Sequence, residues 1–229
     1  MRLAVLSDLH ANADALAVLA DAIAGVDAVI CLGDLVGYYC QVNEVIDMMR
    51  GMGARCVLGN HDHFLLHGCP PDVPPAVAWG IAYATQVITA ANRAWLASLP
   101  LVWGGEIGGR AMLLAHGSPW RPLTDYLYPD SPALTGLSAF DFAVIALGQT
   151  HRALVRQEGA VCVLNPGSVG QSRDTDTIAH ACMAILDTET LAVERLARPY
   201  DLAATMARAR AAGAGPWITK HLVPSPATG

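Results

Sequence analysis

The sequence is poor in charge and has no long hydrophobic segment. Charged residues make up 15% of the 229 residues, and the net charge is −6. No basic stretch is suited to holding a nucleic-acid backbone, which argues against long nucleic acids as substrates. No apolar run reaches the roughly 18 residues of a membrane span, and Asp8 and His10 interrupt the apolar N-terminus where a secretory leader would continue. We therefore expect no membrane association.

The six cysteines form no CxxC pair. Cys31 and Cys56 lie in apolar strand-like runs, where a cysteine commonly serves as a small buried hydrophobic residue. This usage predicts reduced thiols and a cytoplasmic location.

Apolar residues make up 53% of the chain, which is enough for one sizeable core. Strands and helices alternate at the start of the sequence, an order typical of parallel βαβ units. The predicted strands are 3–6, 28–32 and 55–58, and the helices are 11–24 and a segment around 45–49. We expect one domain over residues 1–229, with 213–229 as a loosely held tail.

The rest of the sequence predicts a second set of strands. An irregular stretch at 63–75 and a helix at 77–99 come first, and a last helix is expected near 200–212. Four short strands near the end predict antiparallel pairing at the edge of a second sheet. They are 153–156, 161–164, 178–186 and 191–196.

Five predicted strands are each followed at once by polar residues. In open α/β sheets the ligand lies beyond the carboxyl ends of the strands, so we expect these groups to converge on one crevice. In extended backbone, Asp8 and His10 would point to the same side. Carboxylates, imidazoles and an amide oxygen suit Mn, Fe, Co, Ni or Zn ions. The clusters are Asp8-x-His10, Gly33-Asp34, Gly59-Asn60-His61-Asp62, His116-Gly117 and Gly148-Gln149-Thr150-His151.

Each cluster taken alone has a simpler explanation. Asp34 fits a turn after a glycine, and Asn60 fits a turn followed by a helix cap. His116 and His151 fit ordinary, partly buried histidines. The simpler explanations would have to be true at all five strand ends at once, so a metal site is the preferred interpretation.

The ordered motifs DLH, GDLVGY, GNHD, HGSP and GQTH resemble those of the calcineurin-like metallophosphoesterases. Within that family they are most similar to the small bacterial and archaeal phosphodiesterases, as is NPGSVGQSRD at 165–174. The resemblance spans residues 1 to about 200. It implies a four-layer α/β/β/α sandwich, in which two mixed β-sheets flanked by helices hold a two-metal site between them.

The resemblance implies a ligand set for two divalent ions, Mn foremost, with Fe, Ni, Co or Zn as alternatives. The ions would activate a water for attack on a small phosphodiester or phosphomonoester. Asp8, His10 and His151 would hold the first ion, Asn60 and His116 the second, and Asp34 would bridge them.

The resemblance also implies a catalytic residue beside the metals. His61 would not be a ligand, but would stabilise the phosphoryl charge or protonate the leaving group. Asp62, next to it in the GNHD motif, is expected to orient it.

Gln149 departs from the family's pattern, in which a histidine completes the shell of the second metal. An amide oxygen is a neutral, harder and weaker donor than imidazole for late transition metals. We therefore expect Gln149 to give a looser second site that favours Mn.

Four further residues are candidate substrate contacts: Asn12, Gly117, Asn165 and Arg173. Asn12 is equally compatible with a helix cap, and Arg173 with a surface ion pair. Metal binding by the histidines at 63 and 67 is a weaker hypothesis. The loop aromatics are favoured to pack on the core rather than to line a base or sugar; they are Tyr38, Tyr39, Tyr126 and Tyr128.

Two other functions fit the same motifs. A nuclease would share the chemistry, although the absence of a basic track argues against long polymers. A non-catalytic binding module on the same fold would explain Gln149 as an early loss, but retention of His61 and Asp34 argues against it. The sequence leaves open the substrate, the metal and the choice between a monomer and a homo-oligomer.

Overall fold

The structure, a computed structural model, describes residues 1–174, 176 and 179–219. The strands in this part are β1 Arg2–Leu6, β2 Ala28–Cys31, β3 Arg55–Cys56, β4 Val102–Ile107, β5 Arg110–Ala115, β6 Val144–Ala146, β7 Ala153–Glu158, β8 Val161–Pro166, β9 His180–Asp187 and β10 Val193–Pro199. The helices are α1 Ala13–Ala17, α2 Ala20–Ala24, α3 Val42–Gly51, α4 Asn60–His67, α5 Pro75–Val87, α6 Ala90–Ala97 and α7 Leu202–Ala211. Two short 3-10 helices cover Pro132–Ala139 and Pro216–Thr219.

The strands form two mixed sheets of five strands each. The first has the order β10-β9-β1-β2-β3, and the second has the order β4-β5-β6-β8-β7. Each sheet contains three parallel strands: β1, β2 and the edge strand β3 in the first, and β5, β6 and β8 in the second. In the first sheet β9 pairs antiparallel to β1 and β10 antiparallel to β9, and in the second β4 and β7 pair antiparallel to β5 and β8. The predicted pair of mixed sheets flanked by helices is confirmed.

Strand alternation explains how the sheets stack. Along β1, Leu3 and Val5 face the second sheet, whereas Ala4 and Leu6 face the helices. The apolar layer between the sheets also takes Leu114 from the second sheet. Because successive strand residues point to opposite faces, one apolar run supplies two layers of core. The outer face of the second sheet packs on the 3-10 helix Pro132–Ala139.

Several predicted boundaries are wrong. The helix expected over 77–99 is two helices, α5 and α6, because the β-branched run Val87-Ile88-Thr89 disfavours helix, and the Thr89 side chain caps the second one. The helix expected over 11–24 is likewise divided into α1 and α2, and the stretch expected to be irregular contains most of α4.

The last two strands also differ from the prediction. They do pair antiparallel, but β9 adds to β1, so both lie at the edge of the first sheet. Residue 178, the predicted first residue of this strand, lies outside the described part. So do residues 220–229 of the predicted tail, whereas Ile218 in the 3-10 helix before them is buried.

The described residues contain no helix with the length and apolar character of a membrane span. None of the six cysteines is in a disulfide.

A truncation in the layer between the sheets tests this packing. Leu164→Ala removes a fully buried side chain and leaves a cavity, so we expect the free energy of unfolding to fall by about 2–5 kcal/mol. Urea unfolding of the metal-free protein measures it. Val155→Ala, on the exposed face of the neighbouring strand β7, is the control and should cost less than about 1 kcal/mol. Equal losses would contradict the two-sheet core.

Candidate metal centre

All residues expected to bind metal lie just beyond the carboxyl end of a parallel strand. Two of the strands belong to the second sheet and three to the first, so the carboxyl edges of both sheets contribute. Asp8 and His10 follow β1, Asp34 follows β2, Asn60 follows β3, His116 follows β5, and Gln149 and His151 follow β6. We call these seven residues the candidate cluster.

The backbone at Asp8 and His10, the first two residues of the candidate cluster, is turned and not extended. Asp8 has a φ of 55° and His10 a φ of 51°, both in the left-handed region, so the extended geometry expected for this pair is wrong. Such conformations cost about 1–3 kcal/mol each for residues with a side chain. They are held by the loop after β2, because the amide of Asp8 donates to the Gly33 carbonyl at 3.0 Å and that of His10 to the Asp34 carbonyl at 2.9 Å.

A second segment braces the same loop from the other side. Ser168 Oγ donates to the Asp8 carbonyl at 2.8 Å. The amide of Val169 donates to the Ser7 carbonyl at 3.0 Å, and that of Gly170 to the Asp8 carbonyl at 2.9 Å. The NPGSVG segment thus fixes the position of Asp8.

The protonation of three histidines follows from their backbone partners. A carbonyl oxygen can only accept, so the imidazole nitrogen that faces it must carry the hydrogen. In a neutral ring this leaves Nε2 as a lone pair, which is the form that binds metal. The three contacts are His10 Nδ1 to the Val36 carbonyl at 3.2 Å, His116 Nδ1 to the Leu32 carbonyl at 2.7 Å, and His151 Nδ1 to the Gln171 carbonyl at 2.6 Å.

The Nε2 atoms of His10 and His151 lie 3.0 Å apart. With both Nδ1 atoms protonated, two lone pairs face each other, and a cation or a proton between them would relieve the repulsion. Burial, and after it the neighbouring His151, lower the pKa of His10 well below its usual value. A proton is therefore disfavoured there, and the pair suits a metal ion.

Two buried carboxylates supply the negative charge. Asp8 is fully buried, and its Oδ1, which has no hydrogen-bond donor, lies 3.3 Å from His151 Nε2. Asp34 is 2% exposed, and its Oδ2 lies 3.4 Å from His116 Nε2 and 3.8 Å from His10 Nε2. A buried carboxylate without a partner charge is costly, so this donor set fits divalent cations.

The pKa values express the same excess of negative charge. Burial lowers the pKa of His116, but Asp34 and Asp8 outweigh it and raise that pKa to about 9. Burial raises the pKa of Asp8, and the neighbouring His151 and His116 reverse this and bring it to about 2. The pKa of Asp34 lies below its usual value for the same reason.

Three overlapping groups of side chains could hold a metal ion, each with ligand atoms within 4.8 Å of one another. The groups are Asp8-His10-His151, His10-Asp34-His61 and Asp8-Asp34-His116. The second group places His61 where it could itself be a metal ligand, which the sequence did not predict.

The candidate cluster contains two side-chain amides, those of Asn60 and Gln149. Asn60 Oδ1 is 3.1 Å from His116 Nε2. Gln149 Nε2 donates to the Leu123 carbonyl at 3.3 Å, and this fixes which way its amide points. Its Oε1 is buried and accepts no hydrogen bond. An amide oxygen left in this state suits coordination to a cation.

The structure corrects the role expected for Asp62. Its Oδ1 accepts from the amides of Leu35 and Val36 at 2.9 and 3.1 Å, and its Oδ2 accepts from Gly59 at 3.0 Å. The carboxylate that faces His61 is that of Asp34, 3.8 Å from its Nε2. Asp62 therefore ties the loop after β2 to the start of α4 instead of orienting His61. Burial, with Asp34 nearby, raises its pKa to about 7.

The ring of His61 is positioned by packing. It stacks on Tyr38 with 5.1 Å between ring centroids, and Tyr38 also meets the ring of His10 edge-on at 4.7 Å. Gly37 lies directly against the His61 ring, where a side chain would clash with Nδ1. Tyr38, the last residue of the GDLVGY motif, is thus part of the site wall as well as of the core.

All four candidate substrate contacts make hydrogen bonds within the protein. Asn12 caps α1 through its Oδ1 and donates from Nδ2 to the Gly170 carbonyl, which favours the cap interpretation. The Gly117 amide donates to the Pro122 carbonyl at 2.7 Å. Asn165 Nδ2 donates to the Gly148 carbonyl at 2.7 Å. Arg173 differs, since its Nη2 donates to the Tyr38 hydroxyl at 3.2 Å, beside the candidate cluster.

His63 and His67 lie one turn apart on α4 with ring centroids 4.3 Å apart. They line an apolar cavity of about 600 Å³ between α4 and α6. Among the described residues, no third side chain joins them in a metal-binding group.

Comparisons with known proteins show the family and the fold. A family model described as the calcineurin-like phosphoesterase superfamily domain matches residues 1–191. The chain is 30% identical over 220 residues to the uncharacterized protein MJ0912 of Methanocaldococcus jannaschii, which covers 87% of this chain and 88% of that protein. A metallophosphoesterase crystal structure from Sphaerobacter thermophilus is similar, with a TM-score of 0.83 and 28% identity over 97% of this chain and 98% of that one. The hypothetical protein PH1004 from Pyrococcus horikoshii OT3 shares the fold, with a TM-score of 0.87 and 20% identity over 96% and 97% of the two chains.

Removal of one hydroxyl tests the brace on Asp8. Ser168 Oγ donates to the Asp8 carbonyl and accepts from the Gln171 amide, both at 2.8 Å and buried. Because Ser168→Ala leaves the buried Gln171 amide without its acceptor and removes one of two donors from the Asp8 carbonyl, we expect the free energy of unfolding of the metal-free protein to fall by about 1–3 kcal/mol.

The matched control is Ser138→Ala, which removes one exposed hydrogen bond and should cost about 0.5 kcal/mol or less. Urea denaturation measures both variants. An indistinguishable pair would contradict the bracing role of the NPGSVG segment.

Proposed function

The chain belongs to the calcineurin-like phosphoesterase superfamily, as its motifs predict, and on that premise we propose that it hydrolyses a small phosphodiester or phosphomonoester at a dinuclear metal centre. It is a hydrolase of the metallophosphoesterase superfamily, and its structure has Asp and His groups that could bind metal. The observation that carries the proposal is the meeting of two buried carboxylates with three imidazoles whose Nε2 atoms are available as ligands.

We assign the ligands of the two ions by proximity. Asp8, His10 and His151 would hold the first ion, and the second would take His116 with the amide oxygens of Asn60 and Gln149. Asp34 would bridge them, because its Oδ2 faces His10 of the first set at 3.8 Å and His116 of the second at 3.4 Å. The ions, when bound, would supply Lewis-acid polarisation of the phosphoryl oxygens and a nucleophilic water at neutral pH.

The chain's own side chains would position the ester and handle its charge. His61, fixed against Tyr38, would donate a hydrogen bond to the phosphoryl group or a proton to the departing oxygen. Arg173, held at the Tyr38 hydroxyl, would supply a cation for a phosphate oxygen that the metals do not take. Six cysteines without a disulfide fit the cytoplasmic location that we also propose.

We propose Mn as the preferred metal because of Gln149. Its Oε1 is a hard, neutral donor in a position where imidazole would favour late transition metals. Calorimetric titration of the metal-free protein should show that Gln149→His raises the affinity of the second equivalent of Zn by about tenfold or more, while Mn changes much less. A second equivalent that binds equally in both proteins would remove Gln149 from the ligand set.

A phosphoester panel tests the activity. Bis-p-nitrophenyl phosphate, p-nitrophenyl phosphate and single-stranded DNA are each assayed with Mn, Ni, Co, Mg and Zn, and we expect the small esters to be hydrolysed with Mn. His61→Ala should lower kcat by about 100-fold or more because a group acting on the reacting oxygens is lost. His67→Ala, an exposed histidine on the same helix, is the control and should leave kcat unchanged.

Asp34→Asn tests whether hydrolysis depends on the bound metal. Loss of the proposed bridging carboxylate should leave fewer than two equivalents of bound metal and abolish hydrolysis. DNA hydrolysis in preference to the small esters would favour a nuclease. Full occupancy by two Mn ions without hydrolysis of any ester would favour a non-catalytic module.

A further inference from the structure

Hydrogen bonds hold the loop after His116 in place next to the candidate cluster. Ser118 Oγ donates to Asp125 at 2.7 Å and accepts from the amides of Trp120 and Arg121. The Leu123 carbonyl accepts from Gln149 Nε2, which joins the loop to the second-metal side. We call residues 117–128 the aromatic loop.

The end of the aromatic loop carries two tyrosines out into solvent. Tyr126 is 46% exposed and Tyr128 is 39% exposed, so packing on the core, expected for all four loop tyrosines, is wrong for these two. Leu127 between them is buried in the core of the second sheet. This alternation anchors the segment and turns both rings to the outer side, where they lie roughly parallel, 20° apart, with centroids separated by 6.2 Å.

The tyrosine pair is close to the site. Gly117, directly after His116, faces the Asp125 carbonyl so closely that a Cβ would stand 2.7 Å from it. Asp125 precedes Tyr126 in the chain. The tyrosine pair therefore begins directly after a backbone carbonyl that packs against Gly117, at the edge of the candidate cluster.

We propose that Tyr126 and Tyr128 form a stacking subsite for a flat aromatic ring carried by the phosphoester, with a nucleobase as the best-fitting chemical class. This inference rests on the proposed phosphoesterase function. The phosphate would lie at the candidate cluster, with Arg173 beside it, and the esterifying group would extend along the tyrosines. Stacking on tyrosine needs no hydrogen-bond pattern, so the subsite would accept different bases.

A second copy of the chain is a weaker explanation of the exposed rings. Two tyrosines expose far less than the roughly 800 Å² per partner that a stable interface buries. The pair also belongs to the loop that follows His116 and is hydrogen-bonded to Gln149, a position that suits a small ligand at the candidate cluster rather than a flat protein surface.

Equilibrium binding tests the subsite without relying on turnover. Calorimetry on the Mn-loaded protein compares adenosine 5′-monophosphate with ethyl phosphate, which has the same charged group but no ring. We expect the nucleotide to bind about tenfold or more tightly. The double variant Tyr126→Ala/Tyr128→Ala should lose that preference and keep its affinity for ethyl phosphate, whereas Tyr126→Phe/Tyr128→Phe should keep the preference within about twofold.

Trp120→Ala is the matched control. Trp120 is an exposed aromatic residue of the same loop, but it packs on Phe140 with centroids 5.7 Å apart. It should leave the nucleotide preference unchanged, and an equal loss in this variant would overturn the assignment to the two tyrosines.

The outcomes separate the subsite from the function. If ethyl phosphate binds and the nucleotide binds no more tightly, the subsite is wrong and the phosphoesterase proposal stands. If neither ligand binds to the metal-loaded protein, both are wrong. If the double alanine variant keeps the nucleotide preference but changes from dimer to monomer in size-exclusion chromatography, the tyrosines contact a second copy and the subsite is wrong.

Discussion

The site depends on the burial of two carboxylates beside imidazoles that cannot all neutralise them. Asp8 and Asp34 are withdrawn from water, which costs several kcal/mol for each charge that is left uncompensated. Three backbone carbonyls hold a hydrogen on Nδ1 of the neighbouring histidines, so each of these rings, in its neutral form, turns an Nε2 lone pair toward those carboxylates. Divalent cations would balance this arrangement, and hydrogen bonds from the surrounding loops keep it in place.

Those loops depend on the two sheets meeting at their carboxyl edges. The parallel centres of both sheets end at one place, so polar residues that are far apart in the chain become neighbours. Asp8 and His10 adopt left-handed backbone conformations, and hydrogen bonds from the loop after β2 and from the NPGSVG segment offset their cost. Asp62 adds further hydrogen bonds, because its carboxylate accepts from the loop after β2 and from Gly59 at the start of α4.

Recognition of a substrate would lie outside the motifs that carry the candidate cluster. Gln149, a member of that cluster, is hydrogen-bonded to Leu123 of the aromatic loop, so metal preference and substrate choice would share one structural element. Tyr38 packs on His61 and accepts a hydrogen bond from Arg173. A superfamily fold can thus keep its hydrolytic chemistry while the segment after His116 changes what binds.

The sequence by itself determined the family, the two-sheet architecture and the strand ends that carry Asp8, His10, Asp34, His116 and His151, because apolar runs, polar strand ends and motif order are all local in the chain. Only the tertiary structure decided the rest. It decided which features arise where distant segments meet. These are the sheet that β9 joins, the carbonyls that fix each imidazole, the loop-bridging role of Asp62 and the exposure of Tyr126 and Tyr128. Because every residue has the same backbone carbonyl, residue type does not predict which carbonyl will accept a hydrogen bond from a given histidine. Nor does it predict whether the fold buries a tyrosine or leaves it exposed beside a site.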